Sequence, residues 1–196
     1  PKFATYDPST ATFIHPESRP ELPGLVIPHQ LSSIDYHREI FYCIAKNVTS
    51  DALLLVGLDL IKGYPVYSHI LPFVTNTFLG FGQTINVDTT SGLVYVSGKL
   101  PTTKANVHTV IRVTPQTGRM QVVLELEASD VVDGHRTSAF DEHRGILWLE
   151  LTQTPNVPLF YGIDVHRGTL QFEALPNKYQ MQSMFFDMRT LFVTGI

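Results

Sequence analysis

The chain contains a single cysteine, Cys43, so no disulfide can form within it. Charged residues make up only 16% of the sequence and the net charge is -4, which argues against binding to the phosphate backbone of nucleic acids. The longest apolar runs, such as residues 52–58, are too short to cross a bilayer, so we expect no membrane insertion. Because the chain begins at Pro1 without a methionine, we expect a processed chain or a segment of a longer one.

One short phrase recurs four times, each copy carrying an aspartate near its start. The period is about fifty residues, which is typical of propeller blades or another array of short strands. In two copies a glycine follows the aspartate four residues later, as in Asp88 and Gly92. This pattern predicts a β-hairpin in which the carboxylate caps the turn and glycine takes a positive φ. The four repeat aspartates are Asp35, Asp88, Asp141 and Asp187.

A second predicted hairpin follows each of the first three copies, as at Asp164–Gly168. Strands after the first turn, such as residues 93–96, are apolar on both faces, which is typical of a strand packed on both sides. Strands after the second turn, such as residues 119–126, alternate and are expected at an exposed edge. Four strands per unit make a propeller blade. The predicted blades span residues of about 29–79, 80–132 and 133–180.

Each end of the chain carries half a blade. Residues 1–28 contain a hairpin of the second type, and residues 181–196 contain only one of the first type. We therefore predict one all-β domain, a four-bladed β-propeller over residues 1–196, whose fourth blade is closed by the N- and C-terminal hairpins. Closure would remove exposed sheet edges. The alternative is a fragment of a larger propeller.

The strand and turn pattern, clearest in residues 82–96, resembles the NHL, YVTN and SMP-30-like group of propeller repeats. The resemblance covers nearly the whole chain and concerns strands and turns, so it implies the fold and no particular site. Four blades is also the number in hemopexin-like domains. Their aromatic strand pattern is absent, with Trp148 as the only tryptophan, so haem binding is not implied.

A ring of polar side chains is predicted at one mouth of the channel. Five residues before each repeat aspartate stands a glutamine or an arginine, and two histidines stand one residue earlier. Such a ring could hold an anion, water or a sugar hydroxyl, or it could bond the backbone of neighbouring blades. The predicted ligand-binding residues are Gln30, Gln83, Arg136, Gln182, His29 and His135.

No catalytic or metal-binding motif is recognisable in the sequence. The loop at residues 127–135 is acidic, but Asp130 and Asp133 are typical of a solvated connection and Asp141 is expected to cap a turn. We therefore predict no catalytic residues, no metal site and no cofactor beyond an ion or water in the channel. Cys43 lies in an apolar strand and is predicted to be a buried side chain rather than a nucleophile.

The tripeptide Asn47-Val48-Thr49 is an acceptor sequence for N-glycosylation and favours an extracellular, secreted protein. We predict a non-catalytic binding or structural assembly module whose partner is a protein, another copy of the chain or a glycan. The alternative function is that of a small propeller enzyme, of lactonase or lyase type, with its site at the channel mouth. The fold hosts both classes and does not decide between them.

Overall fold

The computed structural model describes residues 5–7, 12–14, 22–27, 31–73, 84–101, 107–127, 138–153, 157–174, 181–187 and 190–195. Every regular element in these residues is a β-strand, which confirms the predicted all-β class. The strands are β1 (Thr5–Asp7), β2 (Thr12–Ile14), β3 (Leu25–Val26), β4 (Ser32–Asp35), β5 (Ile40–Asn47), β6 (Leu53–Asp59), β7 (Pro65–Ile70), β8 (Thr84–Asp88), β9 (Leu93–Lys99), β10 (Val107–Thr114), β11 (Arg119–Glu127), β12 (Ser138–Asp141), β13 (Ile146–Gln153), β14 (Val157–Asp164), β15 (Thr169–Ala174), β16 (Met181–Asp187) and β17 (Thr190–Gly195).

Three antiparallel sheets each follow the chain from strand to neighbouring strand. The first blade contains β4, β5, β6 and β7, with the short β3 paired to the far end of β5 in line with β4. The second blade contains β8 to β11, and the third contains β12 to β15. The first strands of successive units, β4, β8, β12 and β16, lie next to one another in that order. This places them innermost around a common axis, as in a β-propeller.

Two hydrophobic clusters of the described residues lie between the faces of adjacent blades, and a third packs Leu22 on Cys43 and Leu58 of the first blade. Tyr42 and Leu55 of the first blade pack with Val94 and Ile111 of the second. A second cluster joins Tyr95 and Val110 of the second blade to Leu147, Leu149 and Ile163 of the third. Consecutive residues of β9 therefore serve opposite cores, because side chains alternate across a strand. This explains why the second strand of each blade is apolar on both faces, as predicted.

The two chain ends form separate sheets within the described residues. β1 pairs with β2, and β16 pairs with β17. The strand β16 lies beside β12 and so continues the inner row of the blades. The joining of these two hairpins into a fourth blade, and with it the four-bladed closure, stays a prediction.

Candidate functional site

The repeat aspartates hold the turns at one end of the blades. Asp35 Oδ1 accepts hydrogen bonds from the backbone N–H groups of His37 and Arg38, at 3.1 and 3.0 Å. Asp88 and Asp141 accept bonds from their own turns in the same way. All three carboxylates are buried. The predicted role of the aspartates as turn caps is therefore confirmed for these three copies, and their carboxylates are occupied by the fold.

The inner and outer turns of a blade lie side by side at this same end. In the first blade Leu60 N–H donates to Glu39 O at 2.8 Å, and in the third blade Val165 N–H donates to Gly145 O at 3.0 Å. We call this end of the molecule the turn end. The outermost strands β7, β11 and β15 run from the turn end toward the opposite end, where the inner strands β8 and β12 begin.

Arg38 links the first blade to the second at the turn end. Its Nη1 donates to Asp35 Oδ2 at 2.9 Å and to the carbonyl oxygen of Thr89 at 2.7 Å. Its Nη2 lies 3.4 Å from the carbonyl oxygen of Thr90. A guanidinium suits this position because it offers several donors in one plane. Arg38 therefore fixes the spacing of two adjacent blades, a role that the repeat pattern alone did not indicate.

Glu142 makes the corresponding link from the third blade back to the second. Its carboxylate accepts hydrogen bonds from the N–H of Thr89 at 2.9 Å and from the hydroxyl of Thr89 at 3.1 Å. Thr89 is thus held from both sides, by Arg38 through its carbonyl and by Glu142 through its donors. Sequence reasoning missed Glu142 because the other described copies have Tyr36 and Thr89 at its position in the repeat.

The predicted channel residues Gln30, Gln83, Arg136, His29 and His135 lie outside the described residues. Gln182 lies in β16 where the pairing with β17 is irregular, between partners at Met181 and Ser183. Inner-strand polar contacts are nevertheless present between blades. Asn86 Nδ2 in β8 donates to Ser138 Oγ in β12 at 2.8 Å. The ring of channel ligands stays a prediction.

A buried carboxylate that the sequence did not single out lies at the opposite end. Glu150 of β13 is only 4% exposed. It directly follows Leu149, which pairs with Ser138, the first residue of β12. Arg136 stands two residues before that strand in the sequence. Glu150 therefore lies close to the level at which the inner strand of the third blade begins.

Cys43 is fully buried in β5, as predicted, and desolvation raises its pKa to about 12. We expect a thiol reagent at pH 8 to label the folded protein far more slowly than the unfolded chain. The pKa of the Cys43 thiol in the folded protein lies above its ordinary value of 9.0, so the unfolded chain loses this proton first as the pH rises. The thiol therefore leaves the free energy of unfolding unchanged below pH 9 and lowers it as the pH rises toward 12. Thiol titration with and without denaturant, and unfolding at several pH values, measure both effects. Fast labelling of the folded protein would contradict this account.

The turn end of the first blade exposes four aromatic or aliphatic side chains. Ile61 is 71% exposed and Tyr36 is 63% exposed, with Tyr64 and Leu60 also exposed. We call these four residues the first-blade rim. At the repeat position of Ile61 the other blades carry Gln116 and His166, so the rim is not a property of the fold. Exposed apolar groups of this kind mark interaction sites more often than structural ones.

The inner strand of the first blade carries a more exposed apolar residue than the inner strands of the other two blades. Ile34 of β4 is 50% exposed, whereas Val87 at the same repeat position in β8 is 5% exposed and packs in the first core. The third equivalent, Phe140, packs on the ring of Tyr95 at a centroid distance of 5.2 Å. Both covered residues face the preceding blade. The corresponding face of the first blade is covered within the chain, because Cys43 and Leu58 are buried there in a cluster with Leu22.

Two absences hold for the part of the chain that the structure describes. No group of three or more histidine, cysteine, aspartate or glutamate residues there is placed to hold a metal ion. No helix in the same residues is long and apolar enough to span a membrane.

Comparison with known proteins supports the fold and gives no family. No protein-family model matches the chain, and no curated protein matches its sequence. The whole chain superposes on 65% of a chain of hydrazine synthase from Kuenenia stuttgartiensis, with a TM-score of 0.65 and 11% identity. Raptor from Chaetomium thermophilum matches 88% of this chain over 15% of its own length, with a TM-score of 0.55 and 8% identity. Similarity at such identities shows a shared fold alone.

Proposed function

We propose that this chain is a non-catalytic binding or assembly module built on β-propeller blades. The observation that carries the proposal is the first-blade rim, which exposes Tyr36, Ile61 and Tyr64 at repeat positions where the second and third blades carry polar residues. The repeat carboxylates support the same conclusion because they cap turns, and the carboxylate of Glu142 is bonded to Thr89 of the neighbouring blade. Aromatic and aliphatic groups are the usual anchors of protein interfaces. The partner is therefore a protein surface, which includes another copy of the chain.

The predicted location outside the cell belongs to this proposal. Asn47 Oδ1 accepts hydrogen bonds from Thr49 N–H at 2.8 Å and Ser50 N–H at 3.0 Å, so the acceptor sequence forms a turn. Val48, Thr49 and Ser50 are exposed, which leaves room for a glycan on Asn47. Mass spectrometry of native material is expected to show a glycan there, and Thr49→Ala is the matched control that keeps Asn47 while removing the acceptor sequence. Unmodified Asn47 in native material would contradict the extracellular assignment.

The predicted channel mouth completes the proposal. Gln30, Gln83, Arg136 and Gln182, with His29 and His135, would hold an ion, water or a glycan hydroxyl there. No further cofactor is proposed. The inner-strand contact between Asn86 and Ser138 supports a polar lining, because polar groups buried between inner strands need partners.

The alternative function is that of a small propeller enzyme at the channel mouth. The buried Glu150 favours this alternative, because desolvated carboxylates are found among acid–base catalysts. Assays with a panel of lactones and elimination substrates separate the two functions. We expect no turnover above the buffer rate. Turnover that disappears in both Arg136→Ala and Glu150→Gln, with thermal unfolding unchanged, would replace the binding module with the enzyme.

The half-blades at the chain ends allow two modes of closure. Pairing of β17 with β1 inside one chain gives the four-bladed ring predicted from the sequence. Pairing between chains gives a larger ring from more than one copy. Both modes satisfy the free edges of the two hairpins, and both are consistent with an assembly role.

A further inference from the structure

The outermost strand of the first blade, β7, is fixed against the second blade through one of its faces. Tyr67 packs on the core between the first two blades and stacks on Tyr42 at a centroid distance of 6.3 Å. His69 Nε2 lies 2.6 Å from the carbonyl oxygen of Pro115 in the outer turn of the second blade, so the ring N–H donates to it. Because these contacts hold β7 in place, its other edge is presented as a rigid strand.

The outer edge of β7 has no strand beside it among the described residues, because β7 pairs with β6 and ends its sheet. Leu71 N–H donates to Leu53 O at 2.8 Å, and hydrogen-bonded pairs alternate along an antiparallel ladder. The N–H and C=O groups of His69 therefore point toward β6. Those of Ser68 and Ile70 point away from β6, and both residues are exposed. Each of these two residues thus presents one donor and one acceptor on the outer edge.

Of the outermost strands β7, β11 and β15, only β7 contains no aspartate, glutamate, lysine or arginine. β11 carries Arg119, Glu125 and Glu127, and β15 carries Glu173. Charged side chains on an edge strand are a common protection against pairing with another chain. In β7 an aliphatic side chain, that of Ile70, is 69% exposed instead. The edge of β7 therefore lacks the protection that the other two blades have.

We propose that β7 pairs antiparallel with β7 of a second copy of this chain, about a two-fold axis at His69. In this register Ser68 of each copy lies opposite Ile70 of the other, and each such pair exchanges two backbone hydrogen bonds. The two pairs satisfy every outward donor and acceptor of these residues in both copies. A two-fold contact uses the same patch twice, and a strand without carboxylates or basic side chains sets no like charges opposite each other.

The pairing rests on the proposed assembly function and identifies the partner as a second copy. Tyr64 of the first-blade rim directly precedes Pro65, the first residue of β7. Because the paired strands are antiparallel, the exposed Pro72 that follows β7 in the other copy comes beside Val66, next to the rim. The rim therefore extends the contact at each end of the paired strands.

Residue-resolved hydrogen exchange, followed by NMR at several protein concentrations, tests the register. We expect the N–H groups of Ser68 and Ile70 to exchange at least about tenfold more slowly where sedimentation gives the mass of two chains than where it gives one. The N–H of His69 faces Leu55 within one copy and should be protected at every concentration. Exchange of Ser68 and Ile70 at the same rate in both forms would overturn the pairing.

Ser68→Pro tests the contact by sedimentation equilibrium. The substitution removes an outward N–H that the blade itself does not use, and edge strands tolerate proline at such positions. We expect the dissociation constant of the dimer to rise at least about tenfold. Glu173→Pro is the matched control, because Glu173 pairs with Tyr161 in the third blade as Ser68 pairs with Val56 in the first. It should leave the dissociation constant unchanged, and thermal unfolding of both variants is compared with that of the unmodified protein.

The outcomes separate the strand pairing from the rim. A dimer that Ile61→Glu weakens and Ser68→Pro leaves intact would overturn the pairing and leave the proposed function of the rim in place. A dimer that Ser68→Pro weakens and Ile61→Glu leaves intact would support the pairing and exclude the rim from the contact. The mass of one chain at every concentration would overturn the pairing.

Discussion

Replacement of Arg38 by alanine is expected to lower the free energy of unfolding by about 2–3 kcal/mol. The substitution leaves the carboxylate of Asp35 buried without its guanidinium partner and removes the donor to Thr89 O. Both consequences cost more than the loss of an exposed ion pair, because the groups left behind are shielded from water. Chemical denaturation measures the change.

Arg144→Ala is the matched control for Arg38. Arg144 stands at the same repeat position and faces Asp141, but its Nη1 is 3.5 Å from Oδ2 and its side chain is 55% exposed. We expect a loss of less than about 1 kcal/mol. Equal losses for the two variants would show that the link between the first and second blades contributes no stability.

Gly168→Ala is expected to cost about 3 kcal/mol, the sum of a strained left-handed conformation and a steric clash. Gly168 has a φ of +66°, and an added Cβ would lie 2.6 Å from the backbone oxygen of Val123 in the second blade. A backbone atom cannot rotate away as a side chain can, so the third blade must shift against the second. Thermal or chemical unfolding measures the loss.

Gly24→Ala separates the two contributions. Gly24 has a similar φ of +71°, but nothing lies within 4 Å of an added Cβ. We expect a loss of about 1 kcal/mol from the backbone conformation alone. If Gly168→Ala lowers the free energy of unfolding no more than Gly24→Ala does, the backbone of the second blade does not lie as close to Gly168 as described.

The sequence predicted the features that depend on nearby residues. The caps at Asp35, Asp88 and Asp141 were predictable because the acceptor and its donors lie within three residues of each other. The positive φ of Gly92 followed from the same spacing. The double-sided burial of the central strands was predictable because neighbouring sheets cover both of their faces.

The sequence did not predict the features that depend on the distance between blades. The bonds from Arg38 and Glu142 to Thr89 cross from one unit to the next, and no spacing along the chain encodes them. Ile34 and Val87 occupy the same repeat position and are both aliphatic, yet one is exposed and the other is buried. Val87 packs against the first blade, whereas the face of Ile34 packs in a cluster with Leu22, and no spacing within the repeat encodes that difference.

The central claim is that the first-blade rim binds a protein surface, and a second copy of this chain is the partner that can be tested directly. Sedimentation equilibrium on the unmodified protein and on Ile61→Glu tests it. We expect a mass above that of one chain for the unmodified protein and a dissociation constant at least about tenfold higher for the variant, because a carboxylate would be buried in the contact. The thermal stability of the separated chain should not change, since Ile61 is 71% exposed in one copy. The mass of one chain for the unmodified protein at every concentration would contradict the claim.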